Sequence, residues 1–326
     1  MPNMIIKGLG RYIPEKIYDN AYFESIVDTT DDWIQWRTGI KERHIAADDE
    51  YTTDLATKAA IAAIENAGIS AEEIDLILVA SVTPDYFTPC CACIVQHNIG
   101  AVNAAAFDIN AACSSFITGL VTADQFIKAG TYKNILLVCS DTISKATDYK
   151  DRSTCVLFGD AAGAAVLSAD DNAPGMLAYE LGADGSGAMN ITSLAIRDDA
   201  EEVEKRVAGR KETIWMAGQA VMKFAVKAMA DSTNRVLEKA GLTYDDIKYV
   251  IPHQANYRIV DSAIKRMGID NDKVILNLEK FGNTSSSCIP SALTAAVAEG
   301  KIVRGDKIAI VGFGGGLTWG AAVFEF

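Results

Sequence analysis

The chain has 326 residues, with 43 acidic and 30 basic side chains and a formal charge of −13. At 49% hydrophobic and 22% charged it has a globular composition with room for two sizeable cores. The negative balance excludes a broad nucleic-acid or anionic-membrane surface, since both need clustered Lys and Arg. No stretch approaches the ~20 apolar residues of a membrane helix. The start, MPNMIIKGLGRYIPEK, has neither the apolar run nor the small-residue cleavage site of a signal peptide. The seven cysteines, with Cys90 and Cys91 adjacent, read as unpaired thiols of a cytoplasmic protein.

In chain order, ATKAAIAAIENAG (56–68) has helical apolar spacing and stops at Gly68. IDLILVAS (74–81) is a short apolar run, as expected of a strand covered on both faces. In FDINAACSSFITGL (107–120) a strand ends near Ile109. A helix is predicted from about Cys113, with Phe116, Ile117 and Leu120 inward. NILLVCS (134–140) is a further strand, and RDDAEEVEKRVAGRKE (197–212) reads as a solvated surface excursion. YVIPHQANYRIV (249–260) passes from strand to helix at His253. KFGNTSSSCIPSAL (280–293) opens a helix at Asn283, and KIAIVGF (307–313) is a strand running into glycines. The alternation predicts an α/β fold with largely parallel sheets.

A long internal repeat organises these pieces. AGISAEEIDLILVA (67–80) aligns with AGLTYDDIKYVIPH (240–253), placing Gly68 on Gly241, an offset of 173 residues. The same offset carries Asn110 onto Asn283, Leu120 onto Leu293 and NILLVCS onto KIAIVGF. A period this long implies two similar halves, 1–172 and 173–326, about a pseudo-twofold axis, rather than a solenoid.

Three segments carry candidate chemistry. Cys113 is predicted at a helix N-terminus, where unpaired N–H groups and the helix dipole favour a nucleophilic thiolate. The alternative is a small buried hydrophobe, the reading adopted for Cys139 and Cys155. His253 lies at the carboxyl end of a strand, where α/β folds bind ligands. His44 has no such setting, and Cys93 with His97 supplies only half a zinc site. Asn283 is either a helix cap or a donor brought opposite Cys113 by the repeat. The glycine run VGFGGGLTWG (311–320) lacks the spacing of a dinucleotide loop and suits a close backbone approach that exposes N–H groups.

AACSSF, PHQAN, FGNTSSS and FGGGLTWG, in this order, resemble the thiolase superfamily and, within it, the 3-oxoacyl-[acyl-carrier-protein] synthase III family. DDWIQWRTGIKERHIA (31–46) and DRSTCVLFGDAAGAAVL (151–167) extend the resemblance over nearly the whole chain. It implies a duplicated five-layered αβαβα fold, a homodimer, and no cofactor beyond a CoA thioester substrate. It further implies condensation of an acyl-CoA starter with malonyl-acyl-carrier protein through an acyl-cysteine at Cys113. His253 and Asn283 would stabilise the enolate, and the N–H groups of Cys113 and Gly315 the acyl oxyanion. CoA would meet Trp33, Arg37, Arg152 and Asn256; the carrier protein would meet Lys223 and Arg258, with Lys265 and Arg266 gathered at the same basic mouth. Phe87 corresponds to a residue that reaches across the dimer.

Ser115, Ser153 and Ala161 stand where the family commonly has glycine, and Ser115 is expected to reshape the acyl pocket. A degradative thiolase would need a second cysteine in the final glycine segment, and hydroxymethylglutaryl-CoA synthase a glutamate near SVTPD; neither is present. A plant-type polyketide synthase would normally be longer. A starter-unit ketosynthase or acyltransferase of a specialised pathway, or a non-catalytic acyl-CoA or carrier-protein binder, are the remaining readings. The intact Cys113, His253 and Asn283 disfavour the last.

Overall fold

The computed structural model describes residues 1–193 and 213–326, so the charged stretch 197–212 lies outside the described residues. Among the described residues, apolar β-rich runs form two large sheets, beside two small two-stranded ones. The first contains β1 (Asn3–Tyr12), β2 (Leu76–Ala80), β3 (Ala105–Ile109), β4 (Asn134–Asp141) and β5 (Ala161–Asp170), in the order β1-β5-β4-β2-β3. The second contains β6 (Met176–Ala183), β7 (Tyr249–Pro252), β8 (Lys307–Gly314) and β9 (Thr318–Glu325), in the order β6-β9-β8-β7.

Both sheets are mixed, which corrects the expectation of largely parallel ones. β2, β3 and β4 run parallel, as do β7 and β8, but β5 and β9 are antiparallel to both of their neighbours. The return from Gly314 to Thr318 is too short for the crossover a parallel pair requires. An antiparallel strand buried on both faces reads as the same apolar run, so the pattern alone did not separate the two cases.

Among the described residues the helices of eight residues or more are α1 (Asp31–Thr38), α2 (Thr52–Ala67), α3 (Cys91–Asn98), α4 (Ser115–Lys128), α5 (Gly218–Ala240), α6 (Tyr257–Met267) and α7 (Cys288–Ala298). Side chains alternate along each strand, so every sheet has two faces to cover. Phe116 and Leu120 of α4 and Ile289 and Leu293 of α7 fill the space between the sheets, against Leu78, Leu137, Ile251 and Ile310. Outside the first sheet, Ala56, Ala59 and Ala63 of α2 and Val95 of α3 pack on Ile77, Val79 and Val138. Outside the second, Val221 and Ala225 of α5 and Ile259 and Ala263 of α6 cover Val250, Val311 and Val323. The result is a five-layered αβαβα stack, in which burying each large apolar side chain contributes about 1.5–3 kcal/mol.

The repeat persists into fine detail. Gly68 and Gly241 both end their helices in the left-handed conformation, at φ 65° and 68°. Each is followed by a capping-box turn, Ser70 with Glu73 and Thr243 with Asp246. Leu78 pairs with Leu137 as Ile251 pairs with Ile310. The correspondence fails at β3. The equivalent residues, Leu278–Phe281, form a short helix, and a single bridge between Val250 and Val274 marks the place of a fifth strand.

Candidate active site

The two strand-to-helix junctions at the seam have the same local design. Asn110 Oδ1 accepts from the Ala112 N–H at 3.0 Å, and Asn283 Oδ1 from the Ser285 N–H at 2.9 Å. Ala112 and Ser285 both take positive φ, 49° and 55°, at a cost of order 1 kcal/mol or more each. A tight turn follows, Ala112–Ser114 or Ser285–Ser287, and only then do α4 and α7 begin, at Ser115 and Cys288. The helices thus start later than the sequence suggested, because a left-handed residue cannot lie within a regular right-handed turn.

This geometry places Cys113 Sγ 3.5 Å from Ser285 Oγ. Burial pushes the Cys113 thiol up to about 12, reinforced by the charge of Asp141 and opposed by the Ser285 hydroxyl. Desolvation thus favours the neutral thiol, against the thiolate that its place near a helix end favours. Gly314 explains how the last glycine segment comes so close. A Cβ there would lie 2.6 Å from the Cys113 amide nitrogen, so only a bare backbone fits.

A cavity of about 710 Å³ brings Cys113, His253, Asn283 and Gly315 together and extends to Trp33, Arg37, Arg152, Asn256 and Arg258. His253 is 1% exposed, its main-chain N–H bound to the Val311 carbonyl at 2.7 Å and its ring edge-to-face with Phe313. Its Nδ1 is 2.9 Å from Cys288 Sγ, while Nε2 is buried without a partner among the described residues. Burial pulls the imidazole down to about 3, so it is neutral. Asn283 is anchored by its main chain to Leu157 and Gly159, at 2.8 and 3.1 Å. With Oδ1 held by Ser285, its Nδ2 hydrogens are left to donate.

At the outer part of the cavity the Arg152 guanidinium lies 4.9 Å from the Trp33 ring centroid and donates to the Asp28 carbonyl at 2.6 Å. Arg258 stacks in the same way on Trp36, at 4.9 Å. Asn256 caps α6 by accepting from the Arg258 N–H at 2.8 Å, and its Nδ2 donates to the Arg37 carbonyl at 3.2 Å. That amide is thus engaged in tying α6 to α1.

The other candidate residues lie around or away from this cavity. Lys223 is exposed on α5 and does not line the cavity. Lys265 and Arg266 lie at the far end of α6, roughly 10 Å along the helix from Arg258. They pair with Asp261 and Asp231 at 2.8 and 3.0 Å, so the basic lining is Arg37, Arg152 and Arg258. Ser115 turns back, its Oγ accepting from the Ala111 N–H at 2.8 Å; neither it nor Ala161 lines the cavity, whereas Ser153 does. Phe87 is 76% exposed and lies outside the cavity.

Several contributors escaped the sequence reading. Ser285 could have been found as the 173-residue partner of Ala112. Buried Arg43, with Nε 3.0 Å from the Val156 carbonyl, supports the Val156–Phe158 wall; nothing in its polar surroundings signalled this. Reading the seven cysteines as containing no CxxC pair was also mistaken: Cys90 and Cys93 have that spacing, and their sulfurs lie 3.4 Å apart at the start of α3.

Comparisons with known proteins agree with this geometry. Models of 3-oxoacyl-[acyl-carrier-protein] synthase III match residues 107–185 and, for its C-terminal part, 237–326. The chain is 50% identical over 321 residues to β-ketoacyl-[acyl-carrier-protein] synthase III of Clostridioides difficile, covering 98% of each chain. It is 49% identical to a Bacillus anthracis homologue of the same name, covering 99% of each. The crystal structure of the Aquifex aeolicus 3-oxoacyl-[acyl-carrier-protein] synthase III superposes over all of both chains with a TM-score of 0.92 at 43% identity. With its cysteine, histidine and asparagine brought into one cavity across two matching halves, the chain belongs to the 3-oxoacyl-[acyl-carrier-protein] synthase III family.

Proposed function

We propose that the cavity carries out decarboxylative condensation of an acyl-CoA starter with malonyl-acyl-carrier protein, giving a 3-oxoacyl-acyl-carrier protein, CoA and CO2. The observation that carries this reading is the convergence of the Cys113 thiol, the free His253 Nε2 and the Asn283 amide on one cavity. Cys113 exchanges its S–H for the acyl group of CoA, so one thioester replaces another and CoA leaves as a thiol. Malonyl-acyl-carrier protein then binds, and loss of CO2 leaves electron density on its thioester oxygen. Two neutral donors, His253 Nε2–H and Asn283 Nδ2–H, stabilise that developing charge without the cost of burying a cation. The resulting carbanion attacks the acyl-cysteine carbonyl, whose oxyanion meets the N–H groups of Cys113 and Gly315. Collapse releases Cys113 sulfur, which recovers a proton.

The Trp33–Arg152 stack, with Arg37, would take the adenine and phosphate end of CoA, and Asn256 would face its amide-bearing arm. Lys223 and Arg258 would meet the acidic carrier protein, with Lys265 and Arg266 further along α6. A homodimer is supported by the first sheet, whose edge strand β3 exposes Phe107; Val102, Tyr86 and Phe87 are exposed as well. The division into halves at 172/173 falls in the link between β5 and β6. A cytoplasmic location accords with helices that are, among the described residues, too short or too polar to cross a membrane.

A priming β-ketosynthase of the R1128 polyketide pathway, 32% identical with a TM-score of 0.92, motivates a second reading as a starter-unit enzyme of a specialised pathway. Incubation with acetyl-, isobutyryl- and longer acyl-CoAs, followed by peptide mass analysis, tests the first step. Acylation of a cysteine other than Cys113 would overturn the reading. Adding malonyl-acyl-carrier protein and detecting the 3-oxoacyl product tests the second, and the preferred starter separates the two pathways.

A further inference from the structure

Cys288 has no part in the chemistry above, yet among the described residues it is the side chain that bonds the His253 ring, at 2.9 Å from Nδ1. It is the first residue of α7 and 1% exposed. Burial pushes its thiol far above the ordinary value. The sulfur therefore keeps its proton, and its S–H is a donor 2.9 Å from Nδ1. An imidazole that accepts at Nδ1 carries its hydrogen on Nε2. Nε2 is the buried ring atom without a partner, in a residue that lines the cavity with Cys113 and Asn283.

We propose that Cys288 is a positioning residue whose thiol, donating to Nδ1, holds His253 in the Nε2–H tautomer that the condensation step requires. The proposal rests on the reading of His253 as an enolate donor. The opposite neutral tautomer would present a lone pair at Nε2 and repel the developing oxyanion. Protonating both nitrogens is no escape, because the buried ring resists a positive charge. A seryl hydroxyl could replace the thiol as a donor; an alanine could not.

The test uses the full-length enzyme with acyl-CoA and malonyl-acyl-carrier protein, comparing wild type with Cys288→Ala, Cys288→Ser and His253→Ala. Imidazole 15N spectra of wild type should show hydrogen on Nε2, and in Cys288→Ala a share should move to Nδ1. Cys113 acylation should stay within about twofold in Cys288→Ala. The kcat of condensation should fall roughly 10- to 100-fold with the malonyl KM unchanged, and Cys288→Ser should restore it. A wild-type ring protonated on Nδ1 overturns the proposal even if neither variant folds. So does wild-type condensation by Cys288→Ala, or equal impairment of the alanine and serine variants. If His253→Ala condenses normally, the underlying reading of His253 fails; if it is impaired while Cys288→Ala is not, only the role of Cys288 fails.

Discussion

The turn before α4 and the turn before α7 share an asparagine bond, a left-handed residue and a tight turn, yet they deliver different chemistry. In the first, Cys113 follows the left-handed Ala112 and lines the cavity. In the second, Ser286 follows Ser285 and is bound to the buried Asp141 carboxylate at 2.8 Å. Asp141 also accepts from the Val82 N–H at 2.7 Å, so the second turn is tied to the floor of the first sheet. Asn110 and Asn283 make the same internal bond and both line the cavity, as does Ser285, but the first turn adds a sulfur there and the second does not. The repeat supplies two equivalent backbones, and the side chains and their partners give each turn its own chemical groups.

The largest effect should come from exchanging the two roles. Cys113→Ala should remove acylation and lower condensation by about 10³-fold or more, read by intact mass and product formation. Adding Ser286→Cys to that variant should not restore acylation, because the side chain at this position is directed at Asp141; an acyl group found on the introduced thiol would show the two turns to be interchangeable. Next, Asn283→Ala should lower condensation by about 10²–10³-fold with acylation retained, whereas Asn110→Ala should impair acylation more than decarboxylation. The same split in both variants would erase the distinction between the turns.

Gly314→Ala tests the close approach to the first turn. The added methyl should displace Cys113, slow acylation and lower stability by about 1–3 kcal/mol in urea unfolding. Wild-type acylation would show that the backbone gives way freely. A smaller effect concerns pH. His253 titrates near 6.5 when unfolded and near 3 when folded, so between those values the unfolded chain holds more protons. This group therefore makes the fold lose about 1.4 kcal/mol per pH unit on acidification across that window, with its contribution intact above about 6.5. His253→Asn should flatten the slope; an unchanged slope would mean that the buried ring is protonated in the fold. The smallest effect is expected at Lys265, whose exposed pair with Asp261 should change stability by no more than about 0.5 kcal/mol on mutation to Ala.

Much of this was legible in the sequence because local signals recur there. Apolar runs marked the strands, Ala-Gly marked the helix ends, and one offset linked Gly68 to Gly241 and Asn110 to Asn283. Motif order identified Cys113, His253 and Asn283, and the same order pointed to the family. Strand direction was less legible, since β5 and β9 are as apolar as parallel strands. Ser115 was misread for a related reason: adjacency to Cys113 says nothing about which side of a tight turn its hydroxyl takes, and it bonds Ala111.

By itself, then, the sequence determined the elements, the duplication and the reactive residue types, since periodicity, capping and repeat spacing are encoded within short stretches. Tertiary structure decided the charge states and partners. Burial favours the neutral forms of the Cys113 thiol and the His253 ring, and folding brought Cys288 to Nδ1 across 35 residues of chain. It also separated Arg258, at the cavity, from Lys265 and Arg266 on the same helix. Desolvation and hydrogen bonding depend on what the rest of the chain places around a group, and no local pattern carries that information.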